Sequence, residues 1–377
     1  MAEIKSIASV GIADVAGMGL VAVFWFYMAT VLDTAQYGEI HYFLGIAGLA
    51  YAISLIGTQN TLIVSVAKKF KTVSTLSFIT LIVTSVSAAV VILIFYRFDV
   101  MLIIFGLIIS ELSIGYLLGK KIYKNYSKYV LTQKILFVSL GVGFYFLIGL
   151  EGIIYGLALS YFHYIIIFYK IFSSSKIKFS SLKPHSGFIR DNYLYGLVNG
   201  FKGHIGSLII VPLFGFAILG HYALALQFIA VLMMFSNIIY KYLLGQEASN
   251  IQHGGLKKVT ILVSIVISVL GITLLPLAVT SVFPKYIDSI DAIRIMSLTI
   301  LPSTITILYT SKLLSMEKSK AVLIGKTIQV LTMIAGIVVL GKFFDLIGIA
   351  IAFVSASTIE AIYLTSYSKF KSVVNNE

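Results

Sequence analysis

The stretch VSTLSFITLIVTSVSAAVVILIFY, residues 73–96, decides the fold class. Its 24 residues contain no Asp, Glu, Lys or Arg, and an α-helix needs roughly 20 mostly apolar residues to cross a membrane. Charged clusters close the run at both ends, Lys68-Lys69-Phe70-Lys71 before it and Arg97-Phe98-Asp99 after it. A long apolar run between charged clusters predicts a transmembrane helix, and the same pattern recurs along the whole chain.

The overall composition agrees with this prediction. The chain has 377 residues, of which 59% are hydrophobic and 11% charged, and its mean hydropathy is +1.00. A soluble globular protein is close to half apolar and about a quarter charged. There is no cysteine for a disulfide scaffold. The composition excludes a soluble enzyme, a disordered tail and a fibrous protein, and it predicts an all-α polytopic membrane protein.

Twelve apolar runs follow one another, most of them separated by charges or turn residues. The predicted transmembrane helices are 7–31, 43–66, 73–96, 99–118, 129–149, 152–172, 192–213, 219–242, 259–283, 292–313, 320–341 and 345–367. Only Phe214-Gly215-Phe216, without any charge, separates the seventh run from the eighth. Prolines 212, 276 and 302 are expected to kink the spans of the second half.

The basic residues predict the orientation of these helices. The net charge of +13, from 28 Lys and Arg against 15 Asp and Glu, would indicate a nucleic-acid partner in a soluble protein. With the N-terminus in the cytoplasm, 22 of the 28 basic residues fall on the cytoplasmic side. Four basic residues lie on the opposite side of the membrane, and Lys202 and Lys326 lie within spans. The positive-inside rule therefore predicts a cytoplasmic (inner) membrane protein with both termini cytoplasmic and no nucleic-acid partner.

The connections between the spans exclude several functions. The longest, residues 173–191, has nineteen residues and is predicted to be cytoplasmic, which leaves no large outer loop for a glycan polymerase or ligase. No GxxxxGK[ST] phosphate loop is present, and the six histidines form no HExxH motif. We therefore expect a transporter that is not an enzyme, has no metal site and needs no cofactor.

Weak self-similarity suggests two repeated halves, as in many secondary transporters. Gly152-Ile-Ile-Tyr-Gly156 opens span six and Asp345-Leu-Ile-Gly348 opens span twelve, which aligns Gly156 with Gly348 at an offset of 192. Gly38 aligns with Gly220 at an offset of 182. Six helices per half preserve orientation, so the repeats are predicted to be parallel. The predicted domains are a six-helix lobe at 1–172, a basic linker at 173–191 and a six-helix lobe at 192–377.

Four short motifs resemble those of polysaccharide and O-antigen flippases, members of the multidrug/oligosaccharidyl-lipid/polysaccharide exporter superfamily. Leu32-Asp-Thr-Ala-Gln-Tyr37-Gly38 is similar to the family's L-x-x-x-x-Y-G signature after the first helix. Gly220-His-Tyr222-Ala-Leu-Ala resembles its G-x-Y-x-x-A motif at the eighth helix. Val282-Phe-Pro284-Lys-Tyr286 and Gly348-Ile-Ala-Ile-Ala resemble clusters after the ninth helix and at the last one.

The resemblance implies a flippase for polyprenyl-(pyro)phosphate-linked oligosaccharide units, with two six-helix lobes around a central cavity of alternating access. The expected partners are this lipid-linked oligosaccharide, membrane lipids, and a polysaccharide polymerase or glycosyltransferases. A multidrug and toxin extrusion antiporter of the same fold is the alternative, and its cationic cargo would favour an acidic cavity. Proton or sodium coupling fits either function.

Charges inside spans are expensive and mark candidate functional residues. Asn192, Tyr195, Asn199, Lys202 and Gly206 recur at spacings of three and four, which places them on one helix face. This polar stripe is predicted to bind substrate, with the Lys202 ammonium attracting phosphate and the amides binding sugar hydroxyls. His204 falls on the opposite face. The alternative for Lys202 is a structural ion pair with Asp14.

Other intramembrane polar residues leave two interpretations open. Lys326 and Gln329 share a face of span eleven and are predicted to add a second cation to the substrate site, although Lys326 could instead reach the cytoplasmic surface. Asp14 is the candidate ion-coupling carboxylate, or else the counter-ion of Lys202. Glu111 follows Ser110, and Glu360 comes shortly after Ser357 and Thr358; both are expected to be hydrogen-bonded between packed helices.

Overall fold

Helices form nearly all of the described chain. The computed structural model describes residues 2–56, 58–173, 176–248, 254–316 and 318–374, and these residues contain no β-strand. Their α-helices are α1 (Ala2–Val31), α2 (Thr34–Ser54), α3 (Gln59–Ala67), α4 (Val73–Phe95), α5 (Phe98–Gly119), α6 (Tyr123–Ile148), α7 (Leu150–Ser160), α8 (Ile165–Ser173), α9 (Ser186–Leu232), α10 (Met234–Ala248), α11 (Gly254–Val282), α12 (Ile290–Ser297), α13 (Ile300–Ser315) and α14 (Ser319–Val374). Short 3₁₀ helices connect them at Phe162–Tyr164, Phe179–His185 and Pro284–Ser289.

These helices confirm the all-α polytopic fold and match the twelve predicted spans. Within the described residues, nine helical segments are long and apolar enough to cross a membrane, and the bent pair Pro284–Ser297 and Ile300–Ser315 adds a tenth. Two of the nine, Phe179–Leu232 and Ser319–Lys369, run to 54 and 51 residues. Each of these two contains an internal break, so each holds two spans.

The two breaks are single residues with non-helical dihedral angles. Gly215 has φ 84° and ψ 175° within α9, and Asp345 has φ 47° and ψ −127° within α14. Glycine populates positive φ without steric cost, which explains why a break forms where no charge separates spans seven and eight. Asp345 has a positive φ as well, which is uncommon for a residue other than glycine.

One predicted proline kink is confirmed. The helices on either side of residues 298–299 differ in direction by 41°, and Pro302 lies in the first turn of α13. Proline has no N–H to donate to the carbonyl four residues earlier, and its ring collides with that carbonyl. At Pro302 that carbonyl belongs to Leu298, which lies at the bend. Pro212 and Pro276 lie inside α9 and α11.

The chain forms two compact units. The first contains the residues up to Trp25 together with Phe43–His204, and the second contains Phe26–Tyr42 together with the residues from Ile205 onward. The division into a lobe at 1–172, a linker at 173–191 and a lobe at 192–377 stays a prediction. Parts of these ranges lie outside the described residues, as do Gly57 of the second predicted span and the side chains of Lys5, Lys241 and Lys371.

Each unit contains the same helical hairpin. In the first, α6 and α7 meet at Gly149 (φ 78°, ψ −148°). In the second, the two parts of α14 meet at Asp345, whose dihedral angles are similar. Three residues later, a Cβ on Gly152 would overlap the carbonyl of Phe144, and a Cβ on Gly348 would overlap the carbonyl of Leu340. The equivalent glycines are therefore Gly152 and Gly348, at an offset of 196.

This equivalence corrects the predicted offset. The alignment of Gly156 with Gly348, at 192, is wrong by four residues, or about one helical turn. It fails because Gly-x-x-x-Gly spacing presents two glycines on one helix face, and sequence alone does not say which of them meets the preceding helix. At the correct offset Gly156 matches Ala352, and both are buried against the preceding helix of their hairpin.

The hairpins also share a buried hydrogen bond. Gln133 Nε2 donates to Ser160 Oγ at 2.8 Å in the first unit. Gln329 Nε2 donates to Ser357 Oγ at 3.2 Å in the second. Gln133 and Gln329 are again 196 residues apart, and both are nearly fully buried. This hydrogen bond links the two helices of the hairpin in each unit.

Residues from three of the four motifs that carry the family resemblance pack together in the second unit. Tyr37 and Tyr286 are fully buried with ring centroids 5.9 Å apart, and His221 lies 5.6 Å from Tyr286. The ammonium of Lys285 donates to the carbonyls of Val31 and Leu32 at 3.0 and 3.3 Å. A cation at a helix C-terminus is favourable because the helix dipole leaves negative charge there. These motifs therefore build a packed core.

Candidate functional site

A polar pocket lies within the first unit, between α2, α3, α5 and the first part of α9 (residues 186–214). Its volume is about 330 Å³, which is at the lower end of the range for small-molecule sites. The residues that line it are Tyr51, Ala52, Leu55, Thr58, Gln59, Asn60, Glu111, Asn192, Tyr195, Gly196, Asn199 and Gly200. Three of the predicted substrate-binding residues, Asn192, Tyr195 and Asn199, are therefore brought together.

The face of α9 toward the pocket combines polar and small residues. Asn192, Tyr195 and Asn199 alternate with Gly196 and Gly200 along this face. A Cβ on Gly200 would overlap that of Ala52, so the absence of a side chain lets α9 approach α2. Small residues allow close helix approach in membranes, where packing rather than the hydrophobic effect drives association. The close approach brings the amide side chains against the end of α2.

The opposite wall of the pocket contains the interruption between α2 and α3, which lies inside the second predicted span. Helix α2 ends at Ser54 and α3 begins at Gln59, with Thr58 as its N-cap. The Thr58 hydroxyl accepts a hydrogen bond from the Thr61 amide at 3.3 Å. Non-helical backbone at membrane depth is tolerated where it is buried in protein or lines a hydrated cavity. The break therefore adds backbone groups and three polar side chains to the pocket wall.

Glu111 supplies the charge of this pocket. It projects from α5, is partly exposed, and accepts a hydrogen bond from the Tyr51 hydroxyl of α2. The prediction that Glu111 is hydrogen-bonded between packed helices is thereby confirmed. Among the described lining residues Glu111 is the only charged one. The pocket thus offers a carboxylate, amides and hydroxyls, a donor and acceptor set that fits a polyhydroxylated or cationic ligand.

Two members of the predicted stripe lie elsewhere. Lys202 is partly buried on α9 one turn beyond Asn199, and the described lining of the pocket does not include it. Gly206 belongs to the second unit, where a Cβ would lie 2.9 Å from Cε of Met333. His204, which was predicted to face away from the stripe, packs against Gly48 of α2. The role of Lys202 in binding phosphate stays a prediction.

Asp14 lies in a separate cluster of the first unit. The Tyr126 hydroxyl donates to Asp14 Oδ1 at 2.6 Å, and Lys134 is close enough to interact with Asp14 electrostatically. The Lys134 side chain also covers Gly17, with its Cγ 3.1 Å from the position of a Cβ there. These contacts join α1 to α6. The coupling role of Asp14 stays a prediction.

The second unit contains the remaining two candidates. Lys326 interacts electrostatically with Glu360 of the following helix, and Gln329 makes the buried bond to Ser357. Because Gln133 makes the same bond in the first unit, the contact of Gln329 is explained by hairpin packing. Contact of either residue with substrate stays a prediction. The described residues contain no cluster of His, Asp or Glu that could hold a metal ion.

Glu111, Tyr51 and the polar residues 58–60 are the pocket members that sequence reasoning missed. A single glutamate beside serines does not show which neighbouring helix it faces. The sequence Gly57-Thr-Gln-Asn60 is the signal that could have been used, because four polar or small residues in succession interrupt an apolar span.

No protein-family model matches the chain, and no curated protein sequence matches it. Solved structures do match. An inward-facing multidrug resistance transporter of the MATE family, in the MOP superfamily, has a TM-score of 0.70 at 14% identity, with 94% of each chain covered.

Two further structures are similar over nearly the whole chain. The lipid II flippase MurJ in an inward closed conformation has a TM-score of 0.76 at 13% identity, covering 96% of this chain and 87% of that one. A MOP superfamily transporter from Pyrococcus furiosus, described by the reverse polarity of its binding pocket, has a TM-score of 0.65 at 14% identity, with 100% and 97% covered. The chain therefore has the fold shared by transporters of the MOP superfamily.

Proposed function

We propose that this chain is a flippase that moves polyprenyl-(pyro)phosphate-linked oligosaccharide units across the cytoplasmic membrane by alternating access. It would serve the synthesis of a surface polysaccharide or O-antigen and would catalyse no chemical reaction. The fold is one that occurs in a lipid II flippase and in multidrug transporters. The observation that carries the proposal is the polar pocket of the first unit, with its amides, hydroxyls and single carboxylate.

This donor and acceptor set suits a sugar. Each hydroxyl of a saccharide both donates and accepts hydrogen bonds, and the side-chain amides of Asn192 and Asn199 offer both functions within one wall. Tyr195 adds an aromatic face with a polar tip. Glu111 accepts strongly from hydroxyl groups because it is ionisable. One or two sugar residues fit a cavity of about 330 Å³.

The phosphate would be held by cations outside this pocket. We assign it to Lys202, one helical turn beyond Asn199 on α9, with Lys326 as a second cation. Gln329 would contribute a polar contact, and Asp14 would couple transport to a proton or sodium gradient. The polyprenyl chain would stay among membrane lipids, and a polysaccharide polymerase or glycosyltransferases would act on the same substrate.

Glu111 favours a second candidate function. A carboxylate in a pocket whose described lining has no basic residue attracts a cationic ligand. An antiporter for cationic drugs needs such a site. The two functions differ in what Glu111 must do: a drug cation needs its charge, whereas a sugar needs its hydrogen-bonding capacity.

Reconstituted liposomes test the proposal directly. The full chain would be incorporated with a fluorescent polyprenyl-pyrophosphate oligosaccharide, and its appearance in the opposite leaflet would be followed by accessibility to a lectin. We expect protein-dependent movement that Asn199→Leu reduces at least tenfold. Asn237→Leu, at an exposed asparagine of α10, is the matched control and should leave the rate unchanged.

A parallel assay measures ethidium transport by the same vesicles. Oligosaccharide movement without ethidium transport supports the flippase. Ethidium transport without oligosaccharide movement overturns the flippase and supports the antiporter.

A further inference from the structure

A second pocket lies in the first unit, at the ends of α3 and α5 that are predicted to face the cytoplasm. Its volume is about 180 Å³, and it is lined by Val66, Lys69, Phe70, Lys71, Val73, Tyr116 and Lys120. The three lysines are exposed, and the apolar residues belong to the helix ends and the loop. Three ammonium groups thus border one cavity with aromatic walls, at the level where spans two, three and four end.

The backbone turns at the ends of α3 and α5, beside this pocket, have the same geometry. Phe70 N–H donates to Ser65 C=O at 2.8 Å and Lys69 N–H to Val66 C=O at 3.1 Å, closing α3. At the end of α5, Ile122 N–H donates to Leu117 C=O and Lys121 N–H donates to Leu118 C=O, both at 2.9 Å. This pattern is the Schellman motif, in which the residue after the cap takes a left-handed conformation.

Lysine occupies the left-handed position in both turns. Lys69 has φ 56° and Lys121 has φ 58°. Glycine is the usual residue there because a side chain costs free energy at positive φ. Both turns therefore place a cation at a helix C-terminus, where the helix dipole makes positive charge favourable.

The loop that carries Lys69 and Lys71 is fixed from its other side. The ring of His185 stacks on Phe70 with centroids 4.0 Å apart. Ser181 Oγ donates to the carbonyl of Lys71 at 3.2 Å, and Lys178 N–H donates to Thr75 Oγ1 at 2.9 Å. The Lys120 ammonium lies 5.7 Å from the centre of the Tyr116 ring. The connecting segment thus holds the basic loop in place beside Lys120.

The cytoplasmic segments of the chain differ in their acidic residues. The predicted cytoplasmic loops 68–71 and 120–134 contain eight Lys and no Asp or Glu, and the linker 173–191 contains three Lys, one Arg and one Asp. In the second half, the segments 241–258, 312–320 and 369–377 contain eight Lys and three Glu. Both halves have the same predicted orientation, so the positive-inside rule applies equally to them. The two loops that border this pocket are therefore basic without an acidic residue to offset the charge.

We infer that the pocket of Lys69, Lys71 and Lys120 binds the phosphate of an anionic membrane lipid at the cytoplasmic surface. Clustered lysines beside transmembrane helices attract anionic headgroups. Phe70 and Tyr116 suit the interfacial level, where aromatic side chains are favoured. The site does not depend on which cargo the protein carries.

Native mass spectrometry of the full chain in neutral detergent tests this site, with equimolar phosphatidylglycerol and phosphatidylethanolamine as probes. The variant Lys69→Gln/Lys71→Gln/Lys120→Gln should lower the retention of phosphatidylglycerol by at least tenfold. The control Lys258→Gln/Lys318→Gln/Lys320→Gln removes the same charge from the second half and should change retention less than twofold. An equal loss in both variants, or no loss in the first, overturns the site.

A single variant separates binding from folding. Lys69→Gly keeps the left-handed turn and removes one ammonium, so we expect an equal or higher melting temperature and about fivefold weaker retention of phosphatidylglycerol. Unchanged retention contradicts the proposal. Millimolar inorganic phosphate should leave the lipid bound, since the free ion has no acyl chains. Displacement by phosphate would show a site for soluble anions and would overturn the assignment to lipid.

Discussion

Gly38 and Gly220 pack against each other, backbone to backbone, within the second unit. A Cβ on Gly38 would lie 2.8 Å from the amide nitrogen of Gly220 and would overlap the carbonyl of Phe216. A Cβ on Gly220 would lie 3.2 Å from the amide nitrogen of Gly38 and would overlap the carbonyl of Thr34. Each glycine thus contacts the other glycine and the carbonyl that lies four residues before that other glycine. The two glycines that were predicted to be equivalent positions of the repeat form one reciprocal crossing.

This crossing predicts that either glycine is intolerant of a methyl group. Gly38→Ala and Gly220→Ala should each destabilise the protein by about 1 to 3 kcal/mol, because the overlapped atoms belong to backbone and cannot rotate away. Fluorescence-detected size-exclusion after heating would measure the loss. Gly143→Ala is the control, since a Cβ there has no neighbour within 4 Å. Equal melting temperatures for all three variants would contradict the crossing.

The buried glutamines of the two hairpins should have equal energetic effects. Gln133→Ala and Gln329→Ala each remove one interhelical hydrogen bond, and the expected destabilisation is about 0.6 to 2 kcal/mol for both. Unfolding in mixed micelles with increasing sodium dodecyl sulfate would measure it. A Gln329→Ala variant that keeps full stability but loses transport would instead establish Gln329 as a substrate ligand.

Asp14→Asn tests the proposed ion coupling with little structural change. The amide oxygen can still accept the hydrogen bond from Tyr126, whereas the charge and the proton-binding site are lost. We expect transport that no longer responds to a proton or sodium gradient, with a melting temperature close to that of the wild type. Tyr126→Phe, which keeps the carboxylate, should retain the response. Gradient-independent transport by the wild type would remove Asp14 from this role.

Two variants of Glu111 distinguish a sugar from a cationic cargo. Glu111→Gln keeps the capacity to accept a hydrogen bond from Tyr51 but removes the charge, so oligosaccharide transport should fall by no more than about threefold. Glu111→Leu removes the hydrogen-bond acceptor as well and should reduce transport at least tenfold, because a hydrogen bond from a sugar hydroxyl to this charged group is worth about 1.5–3 kcal/mol. Loss of transport in both variants would indicate that the charge itself is required.

Lys202→Ala should abolish display of the surface glycan while the protein still reaches the membrane, because the phosphate loses its counter-charge. Immunoblots of the glycan and of the membrane fraction would measure the two quantities. Lys176→Ala changes an exposed lysine of the connecting segment and serves as the control. Normal glycan display by the Lys202 variant would rule out its contact with the phosphate.

Most of the fold could be predicted because charge clusters delimit the apolar runs. The pattern also located the charge-free junction at Gly215 and the bend at Pro302. The end of α2 at Ser54 and the start of α3 at Gln59, within the second predicted span, were not predicted, because no charge or proline lies between them. The predicted offset between the two hairpins was wrong by one helical turn. Gly152 and Gly156 lie four residues apart, and the sequence alone does not show which of them aligns with Gly348.

The candidate site could be predicted in part. Helical periodicity was sufficient to place Asn192, Tyr195 and Asn199 on one face, and the structure brings them to one pocket. Periodicity could not assign Tyr51 and Glu111 to the same pocket, because contacts between helices depend on the rotation of each helix about its own axis. Lys202 shares the periodicity but lies beyond the end of the pocket, since the stripe is longer than the cavity.

The hairpin and the glycine crossing lie at unequal distances from each other in the two halves of the sequence. In the first half 114 residues separate Gly38 from Gly152, whereas 128 separate Gly220 from Gly348 in the second. Origin by duplication of one half would require a net gain or loss of fourteen residues between these landmarks. The halves correspond at an offset of 182 at the first landmark and 196 at the second. An evolutionary comparison of the copies must change register between them.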